Sequence, residues 1–170
     1  VLKRGAAGAT ARDGDLTLTE SAAICMHYAD RAPAAGLAPP AGSDARAQWY
    51  RWHCTLTNTV QEAFYRAFAP GRFVDDDGRA SVIAHANDTL AWWRERLAGE
   101  LAGRPYLVGD ACTSADLYLC MLIRWTRRMP EPYWDDPVLA AYFRRIADRP
   151  SYREVWQTEG LDRDGEPAPT

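Results

Sequence analysis

Residues 103–123 read GRPYLVGDACTSADLYLCMLI, and this stretch decides the fold class of the chain. Thr113 and Asp116 have the spacing of a capping box, in which the first and fourth side chains at a helix start bond each other's backbone N–H. The residues that follow, 117–123, are nearly all apolar. Because a helix that is apolar on most sides lies at the centre of its domain, the stretch predicts an all-helical domain around a central helix at 113–129.

Helical periodicity continues on both sides of this central helix. Apolar residues recur every three or four positions in the neighbouring segments, and Pro and Gly residues separate one segment from the next. The predicted helices are Ser43–Phe68, a long helix between the acidic loop 75–78 and Gly103, Val138–Asp148, and Ser151–Gln157. We therefore assign residues 43–160 to the helical domain and the charged, Pro-containing residues 161–170 to a flexible tail.

The first part of the chain has a different character. Val1-Leu2 and residues 16–18 are short β-prone pieces around a stretch rich in Gly, Ala and Asp, which predicts a hairpin. Because a two-stranded hairpin is only marginally stable in water, we expect these strands to belong to a larger sheet. A helix is predicted at Ser21–Arg31. Residues 32–42, APAAGLAPPAG, break this helix and are typical of an interdomain linker.

The composition argues against several classes of function. The 170 residues carry a formal net charge of −3, so the basic excess that nucleic-acid binding requires is missing. No apolar run reaches the ~18 residues of a membrane-spanning helix, and no signal-peptide pattern opens the sequence. We therefore expect no nucleic-acid partner, no membrane partner and a cytoplasmic location.

Cysteine, histidine and arginine residues are scattered rather than arranged in motifs. The cysteines form no CxxC pair and no His stands at metal-ligand spacing, so we expect no metal site and small, mostly buried thiols. The histidines have no evident carboxylate partner and are interpreted as surface or capping residues. Two arginine clusters are interpreted as solvated helix faces or, alternatively, as a patch for a small anion. These residues are Cys25, Cys54, Cys112, Cys120; His27, His53, His85; and Arg124, Arg127, Arg128, Arg144, Arg145, Arg149.

Residues 18–24, LTESAAI, contain a candidate binding pair. Ser21 lies where a helix follows a strand, and a helix N-terminus offers unpaired N–H groups and a positive dipole end to a carboxylate. The Ser21 hydroxyl adds a donor, and Glu20 offers a negative charge to a neighbouring ammonium. The pair therefore suits the head of an α-amino acid. The alternative is structural, with Ser21 as the N-cap of its helix and Glu20 interacting with the dipole.

The 18–24 string, together with the Pro-Tyr-Leu-x-Gly-Asp loop and the capping box that follows it, resembles the cytosolic glutathione transferases, near bacterial beta-type or related members. The resemblance covers nearly the whole chain. It implies a mainly α fold, with an all-helical C-terminal domain preceded by a remnant of a thioredoxin-like α/β domain, a β-hairpin plus a helix, in residues 1–31. It also implies that the box of Thr113 and Asp116 is structural.

The resemblance further implies a function and its residues. Glu20 would meet the ammonium and Ser21 the carboxylate of the γ-glutamyl end of glutathione, which is a co-substrate, and no further cofactor is expected. The reaction would join the glutathione thiolate to a hydrophobic electrophile, and the protein would be a homodimer. The acceptor pocket would lie between the domains, with Gln61, Tyr65, Tyr118 and Arg124 as candidates. Some beta-type members carry a His-Lys pair where this chain reads Gln61-Glu62, so that contact is not carried over.

One part of the family pattern is not in the sequence. A strand-helix-strand-helix unit of roughly fifty residues normally comes first and carries the Tyr, Ser or Cys that stabilises the thiolate. A free thiol has a pKa of about 8.5 and the thiolate is the nucleophile, so we expect weak or no activity from the chain as printed and leave its catalytic residue unknown. We favour an absent front segment over a naturally short protein. The alternatives are a non-catalytic helical module for dimerisation or protein association and, more weakly, a reductive or lyase-type transferase using a cysteine of the absent segment.

Overall fold

The computed structural model describes residues 3–5 and 8–161. Val1-Leu2, one arm of the predicted hairpin, and residues 162–170, which make up most of the predicted tail, lie outside the described residues.

The first described elements form a small antiparallel sheet in the order β1-β2-β3. The strands are β1 (Lys3–Gly5), β2 (Gly8–Asp13) and β3 (Leu16–Thr19). Asp13 pairs with Leu16, so β2 and β3 are joined by a two-residue turn, in which Gly14 adopts a φ of 59°. The stretch rich in Gly and Ala, which was predicted to connect the two arms of the hairpin, contains strand β2 instead. Residues of low strand propensity form this strand because it pairs on both sides.

A helix follows the sheet directly and has the predicted bounds. It is α1 (Ser21–Arg31), and it packs on β2 and β3 with Ile24 and Ala29 buried. A single 3₁₀ turn, Pro33–Ala35, comes next. The strands and α1 therefore form one small α/β layer ahead of the helical part.

The remainder of the chain is helical and confirms the predicted mainly α fold. The helices are α2 (Asp44–Thr55), α3 (Glu62–Phe68), α4 (Arg79–Leu101), α5 (Ser114–Trp125), α6 (Pro137–Ala147) and α7 (Pro150–Thr158). The predicted single helix from Ser43 to Phe68 is interrupted, because a π-helical segment, Leu56–Gln61, separates α2 from α3. The central helix also ends earlier than predicted, with a 3₁₀ turn at Thr126–Arg128.

Helix α5 lies at the centre of the helical part, as its apolar sequence predicts. It contacts α1, α2 and α6, and Leu119, Cys120, Leu122 and Ile123 are fully buried. The core around α5 is completed by the indole rings of Trp49 and Trp52 on α2 and by the side chains of Leu90 and Leu97 on α4. Burial of large aromatic and branched side chains from four helices is the main contribution that holds this part of the chain together.

The predicted capping box forms at the start of α5. The Asp116 carboxylate accepts hydrogen bonds from the backbone N–H of Thr113 at 2.7 Å and from its hydroxyl at 2.8 Å. Two further donors come from outside the box, the N–H of Leu107 and the hydroxyl of Tyr142, each at 2.8 Å. Asp116 is fully buried, so these four donors replace the water that a carboxylate needs. The box therefore ties the preceding loop and α6 to the central helix.

Two histidine predictions were wrong, and one cysteine is an exception to the predicted burial. His53 is fully buried rather than on the surface, and its Nε2 atom lies 2.9 Å from the Ser114 hydroxyl. His27 does have a carboxylate partner, Asp13, at 2.9 Å, because the β2–β3 turn places this aspartate beside α1. Cys54 is exposed because it lies on the face of α2 opposite the core, whereas Cys112 and Cys120 are buried as expected.

Candidate functional site

The backbone of Glu20 is unusual at the start of α1. Glu20 has φ 69° and ψ 114°, and within the described part of the chain no other non-glycine residue has a positive φ. Such a conformation costs about 1–3 kcal/mol in a residue with a side chain and is often found at ligand sites. Glu20 itself occupies the N-cap position, without a side-chain cap bond. Ser21 is thus the first helical residue, and the alternative in which it serves only as N-cap does not describe the structure.

The start of α1 also offers hydrogen-bond donors to a ligand that would bind beside Glu20. The first N–H groups of any α-helix lack intrahelical acceptors, and the helix dipole adds partial positive charge there. In α1 these groups belong to residues 20–23, and the first turn contains no acidic side chain that would occupy them. Ser21 is half-buried, and its hydroxyl adds a side-chain donor to this group.

A chain of hydrogen bonds faces this helix start from the helical part. The Tyr118 hydroxyl donates to the Gln61 amide oxygen at 2.5 Å, and the Gln61 amide nitrogen donates to the Tyr65 hydroxyl at 2.9 Å. Tyr118 is 4% and Gln61 7% exposed, whereas Tyr65 is 37% exposed. The chain therefore runs from the interior on α5 to the surface on α3.

The two sides meet at Tyr118. Burial raises the pKa of Tyr118 well above its usual value, and the nearby Ser21 side chain partly opposes this rise. Glu20, Cys25 and Tyr65 also lie close enough to raise this pKa by charge interactions. We call Glu20, Ser21, Gln61, Tyr65 and Tyr118 the Ser21 cluster. The fold thus brings together five of the six side chains that were predicted to bind glutathione or the electrophile.

The sixth candidate, Arg124, lies elsewhere. It follows Tyr118 by six positions on α5, which turns it to a different face of the helix at ~100° per residue. Its charge acts on Tyr152 of α7, where burial raises the tyrosine pKa and Arg124 lowers it. Arg124 therefore lies toward α7 rather than beside the Ser21 cluster.

The π-helical segment places Gln61 in the cluster. An i→i+5 segment adds a residue to one turn and changes the direction of the side chains that follow, and such segments are frequent at functional sites. Here the Thr57 hydroxyl donates to the carbonyl of His53 at 2.8 Å and also contacts that of Cys54 at 3.3 Å. A hydroxyl that competes for helix carbonyls loosens the regular ladder. Residues 57–59, Thr-Asn-Thr, also have low helix propensity, and this is the signal in the sequence that could have indicated the interruption.

The Ser21 cluster is suited to recognition rather than to producing a nucleophile. Burial raises the pKa of Cys25 to about 11, so its thiol stays protonated near neutral pH. The raised pKa of Tyr118 likewise keeps its hydroxyl neutral. Hydroxyl and amide groups, a carboxylate and a helix start can together bind an ammonium and a carboxylate. They do not themselves offer a reactive thiolate or phenolate.

Arg46 joins α1 to α2, the first helix of the helical part. Its guanidinium contacts the Asp30 carboxylate of α1, donates to the Pro39 carbonyl at 2.9 Å, and lies 4.4 Å from the centre of the Trp49 ring. Arg46 is 6% exposed. This junction ties the C-terminal half of α1, the helix whose start contains Glu20 and Ser21, to α2.

Other features of the described residues supply no competing site. Among residues 3–5 and 8–161, no three His, Cys, Asp or Glu side chains gather as a metal-binding group. No helix in this part of the chain combines the length and the apolar character needed to cross a membrane. An open cavity of about 950 Å³ lies between α6 and α7, lined by Trp134, Phe143 and Trp156 among others. None of the lining residues named for this cavity belongs to the Ser21 cluster. We place the candidate site at the Ser21 cluster, where polar groups of two parts of the chain converge, rather than at this cavity.

Comparison with known proteins gives consistent matches. The family described as glutathione S-transferase, C-terminal domain, matches residues 60–150. A glutathione S-transferase of Xanthomonas campestris pv. campestris is 29% identical over 146 residues, which cover 85% of this chain and 72% of that protein. A sphingomonad glutathione S-transferase solved in complex with glutathione is 33% identical with a TM-score of 0.79, over 91% of this chain and 74% of that one. A bacterial beta-class enzyme of Sphingomonas chungbukensis is 30% identical with a TM-score of 0.80, over the same shares of the two chains.

Proposed function

This chain belongs to the glutathione S-transferase family, and we propose that it binds glutathione at the Ser21 cluster and serves transfer of glutathione to electrophilic small molecules. The observation that carries the proposal is the start of α1, where Glu20 has a positive φ and makes no cap bond, Ser21 is the first helical residue, and the helix packs on α5. A sphingomonad relative of 33% identity is described as complexed with glutathione, which supports the choice of ligand.

In the proposed complex, the γ-glutamyl end of glutathione lies at the start of α1. Its carboxylate accepts from the N–H and hydroxyl of Ser21, where the dipole of α1 adds to the attraction. Its ammonium pairs with the Glu20 carboxylate, and such charge-assisted bonds are stronger than neutral ones. The strained backbone of Glu20 would hold its carboxylate at this place rather than along the helix.

The electrophile would bind on the side of the cluster that faces solvent. Tyr65 is partly exposed, and its ring lies 5.9 Å from that of Trp125, so the two offer aromatic surface beside a hydroxyl. With a chlorinated aromatic, the glutathione sulfur attacks the carbon that carries chlorine, the C–S bond forms, and chloride leaves. Cys25 and Tyr118 both have raised pKa values, so neither is proposed to activate the sulfur. We therefore propose that these residues contribute recognition, and expect slow conjugation by the chain as printed.

Calorimetric titration with glutathione tests the binding proposal. The wild-type chain should bind, and Glu20→Gln and Ser21→Ala should each weaken binding by about tenfold or more, as loss of a charge-assisted bond implies. Glu95→Gln and Ser81→Ala are matched controls, because both residues are exposed on α4, and they should leave the affinity unchanged. Absence of glutathione binding, or binding that none of these changes affects, would favour the non-catalytic helical module instead.

We also propose that the protein is a cytoplasmic homodimer, since closed two-fold assemblies are the commonest among soluble oligomers. Sedimentation equilibrium measures this directly. A mass near 19 kDa for the chain would reject the dimer, because that is the mass of one copy.

A further inference from the structure

We propose that Gln61 is a positioning residue, which turns the hydroxyl proton of Tyr65 outward and so makes the site select electrophiles that carry a hydrogen-bond acceptor. The inference rests on the proposed function. It adds to that function a feature of the electrophile, namely a nitro, carbonyl or similar oxygen on an aromatic ring.

The Gln61 side chain lies between two tyrosine hydroxyls. Its amide oxygen accepts from the Tyr118 hydroxyl, and its amide nitrogen donates to the Tyr65 oxygen at 2.9 Å. Tyr118 is 4% exposed, whereas Tyr65 is 37% exposed. A primary amide has an acceptor at one end and donors at the other, so its orientation fixes which tyrosine donates and which accepts.

Burial distinguishes this orientation of the amide from the reversed one. In the structure, the Tyr118 proton is used and the Tyr65 proton is left over. A reversed amide would accept from Tyr65 and leave the Tyr118 proton over instead. Within residues 3–5 and 8–161, the Tyr118 hydroxyl donates to Gln61 and to no other acceptor, and a buried donor without an acceptor is destabilising. The orientation in the structure is therefore the stable one.

The Tyr65 proton consequently points away from Gln61. Because the Tyr65 oxygen already accepts from the amide nitrogen, its proton lies on the other side of the oxygen. No acceptor in the described part of the chain takes up this proton. The ring of Trp125 lies 5.9 Å from that of Tyr65, so an aromatic electrophile packed on these two rings would lie beside the proton.

A donor that faces the ligand favours some electrophiles over others. A ring that carries a nitro or carbonyl oxygen pairs with the Tyr65 hydroxyl. A hydrocarbon ring displaces water from the same hydroxyl and gives it no acceptor, and a site left with an unpaired polar group binds such an analogue less well. When a thiolate attacks a nitroaromatic, negative charge develops on the nitro oxygens and strengthens this hydrogen bond.

Calorimetric binding of two glutathione conjugates tests the proposal without requiring turnover. The S-dinitrophenyl conjugate carries nitro acceptors, and the S-phenyl conjugate presents the same ring without them. The measured quantity is the ratio of their dissociation constants, phenyl over dinitrophenyl, which should exceed one in the wild-type chain. Tyr65→Phe should lower this ratio by about two- to tenfold, the effect of one net hydrogen bond.

The role of Gln61 is tested by Gln61→Glu at pH 8. A carboxylate has the shape of the amide but only accepts, so it takes the Tyr65 proton as well as the Tyr118 proton. The ratio should fall as far as in Tyr65→Phe, and the double variant should show no further fall. Tyr28→Phe is the matched control, because this exposed tyrosine bonds the Arg12 carbonyl, and it should leave the ratio unchanged.

Two results overturn the proposal. One is a ratio that Tyr65→Phe leaves unchanged, and the other is a ratio that falls in Tyr65→Phe but not in Gln61→Glu. If Gln61→Glu does not fold, judged by circular dichroism, Gln61→Met replaces it. That change removes the amide that orients Tyr65, so the ratio should fall by about twofold through loss of pre-organisation, and an unchanged ratio again overturns the proposal.

Failure of the proposed function gives a different result. If that function fails, the wild-type chain binds neither conjugate and both proposals are rejected. If it holds, Ser21→Ala should weaken both conjugates alike and leave the ratio unchanged, since Ser21 is proposed to meet only the glutathione part. Binding that responds to Ser21→Ala, with a ratio that does not respond to Tyr65→Phe, rejects this inference alone.

Discussion

The guanidinium of Arg46 lies with one nitrogen 2.7 Å and 2.6 Å from the two carboxylate oxygens of Asp30. Asp30 belongs to α1 and Arg46 to α2, so this pair spans the junction between the small α/β layer and the helical part. Because Arg46 is nearly inaccessible whereas the Asp30 side chain is half-exposed, the arginine depends on its partner more than the aspartate does.

Replacement of Arg46 by Met should lower the free energy of unfolding by about 1–3 kcal/mol, since it removes charge-assisted bonds but keeps most of the packing on Trp49. Urea unfolding followed by tryptophan fluorescence measures the change. Asp30→Asn should cost less, because the amide still accepts from Arg46. A larger loss for Asp30→Asn than for Arg46→Met would contradict this account of the junction.

Stability should fall in mild acid because of His53. Burial lowers the pKa of this histidine from 6.5 to about 4, so the unfolded chain takes up a proton between these values while the folded chain does not. The contribution of neutral His53 to the free energy of unfolding is fully present above pH 6.5 and decreases as the pH falls toward 4. The total loss is about 3 kcal/mol at most. Urea unfolding at pH 7.5, 5.5 and 4.5 measures it.

The matched variant for this pH dependence is His53→Leu, which keeps the volume and removes the titration. The difference in unfolding free energy between wild type and variant cancels the contribution of other acids. It should shrink as the pH falls from 7.5 to 4.5, and a constant difference would rule out His53 as the source.

Asp116→Ala should destabilise the chain more than Arg46→Met or Thr113→Ala. It leaves four donors without their acceptor in a fully buried place, on Thr113, Leu107 and Tyr142, and a loss of about 3 kcal/mol or more is expected. Thr113→Ala removes only one arm of the capping box and should cost about 1 kcal/mol. Equal losses in urea unfolding would mean that the bonds to Leu107 and Tyr142 contribute little.

Glu20→Gly should separate stability from binding. Glycine adopts a positive φ without strain, so the variant should gain about 1 kcal/mol of stability while losing the carboxylate proposed to bind the ammonium. Glu20→Ala keeps the strain and should lose binding without the gain in stability. Thermal unfolding and glutathione titration of the two variants measure both effects, and equal stability of the two variants would show that the backbone of Glu20 is not strained.

Thiol reactivity should distinguish one cysteine from the other three. Cys54 is exposed, whereas burial raises the pKa values of Cys25 and Cys112 to about 11 and that of Cys120 to about 12. Ellman's reagent should therefore label one thiol per chain rapidly in the folded protein and the others only in denaturant. Cys54→Ser should abolish the rapid phase; a rapid phase that survives this change would identify another accessible thiol.

Much of the local structure was predictable because its causes are local. The bounds of α1 follow from the strand before it and the Pro- and Gly-rich stretch after it, and the box at Thr113 and Asp116 needs only its own spacing. The central position of α5 follows from its apolar composition. Local sequence predicted Glu20 and Ser21 as a candidate pair with helix capping as the alternative, and the family resemblance added glutathione as the ligand.

The remaining features depend on residues distant in the sequence. Strand β2 forms from weak strand formers because both neighbours pair with it, and His53 is buried because Ser114 of another helix bonds it. The π segment turns Gln61 toward Tyr118, and only the packing of α1 on α5 brings Tyr118 to Ser21. The sequence by itself thus determined the helices, the capping box and the candidate pair at 20–21. Tertiary structure decided which polar groups lie beside one another at this site, because residues far apart in the sequence meet there only through the packing of α1 on α5.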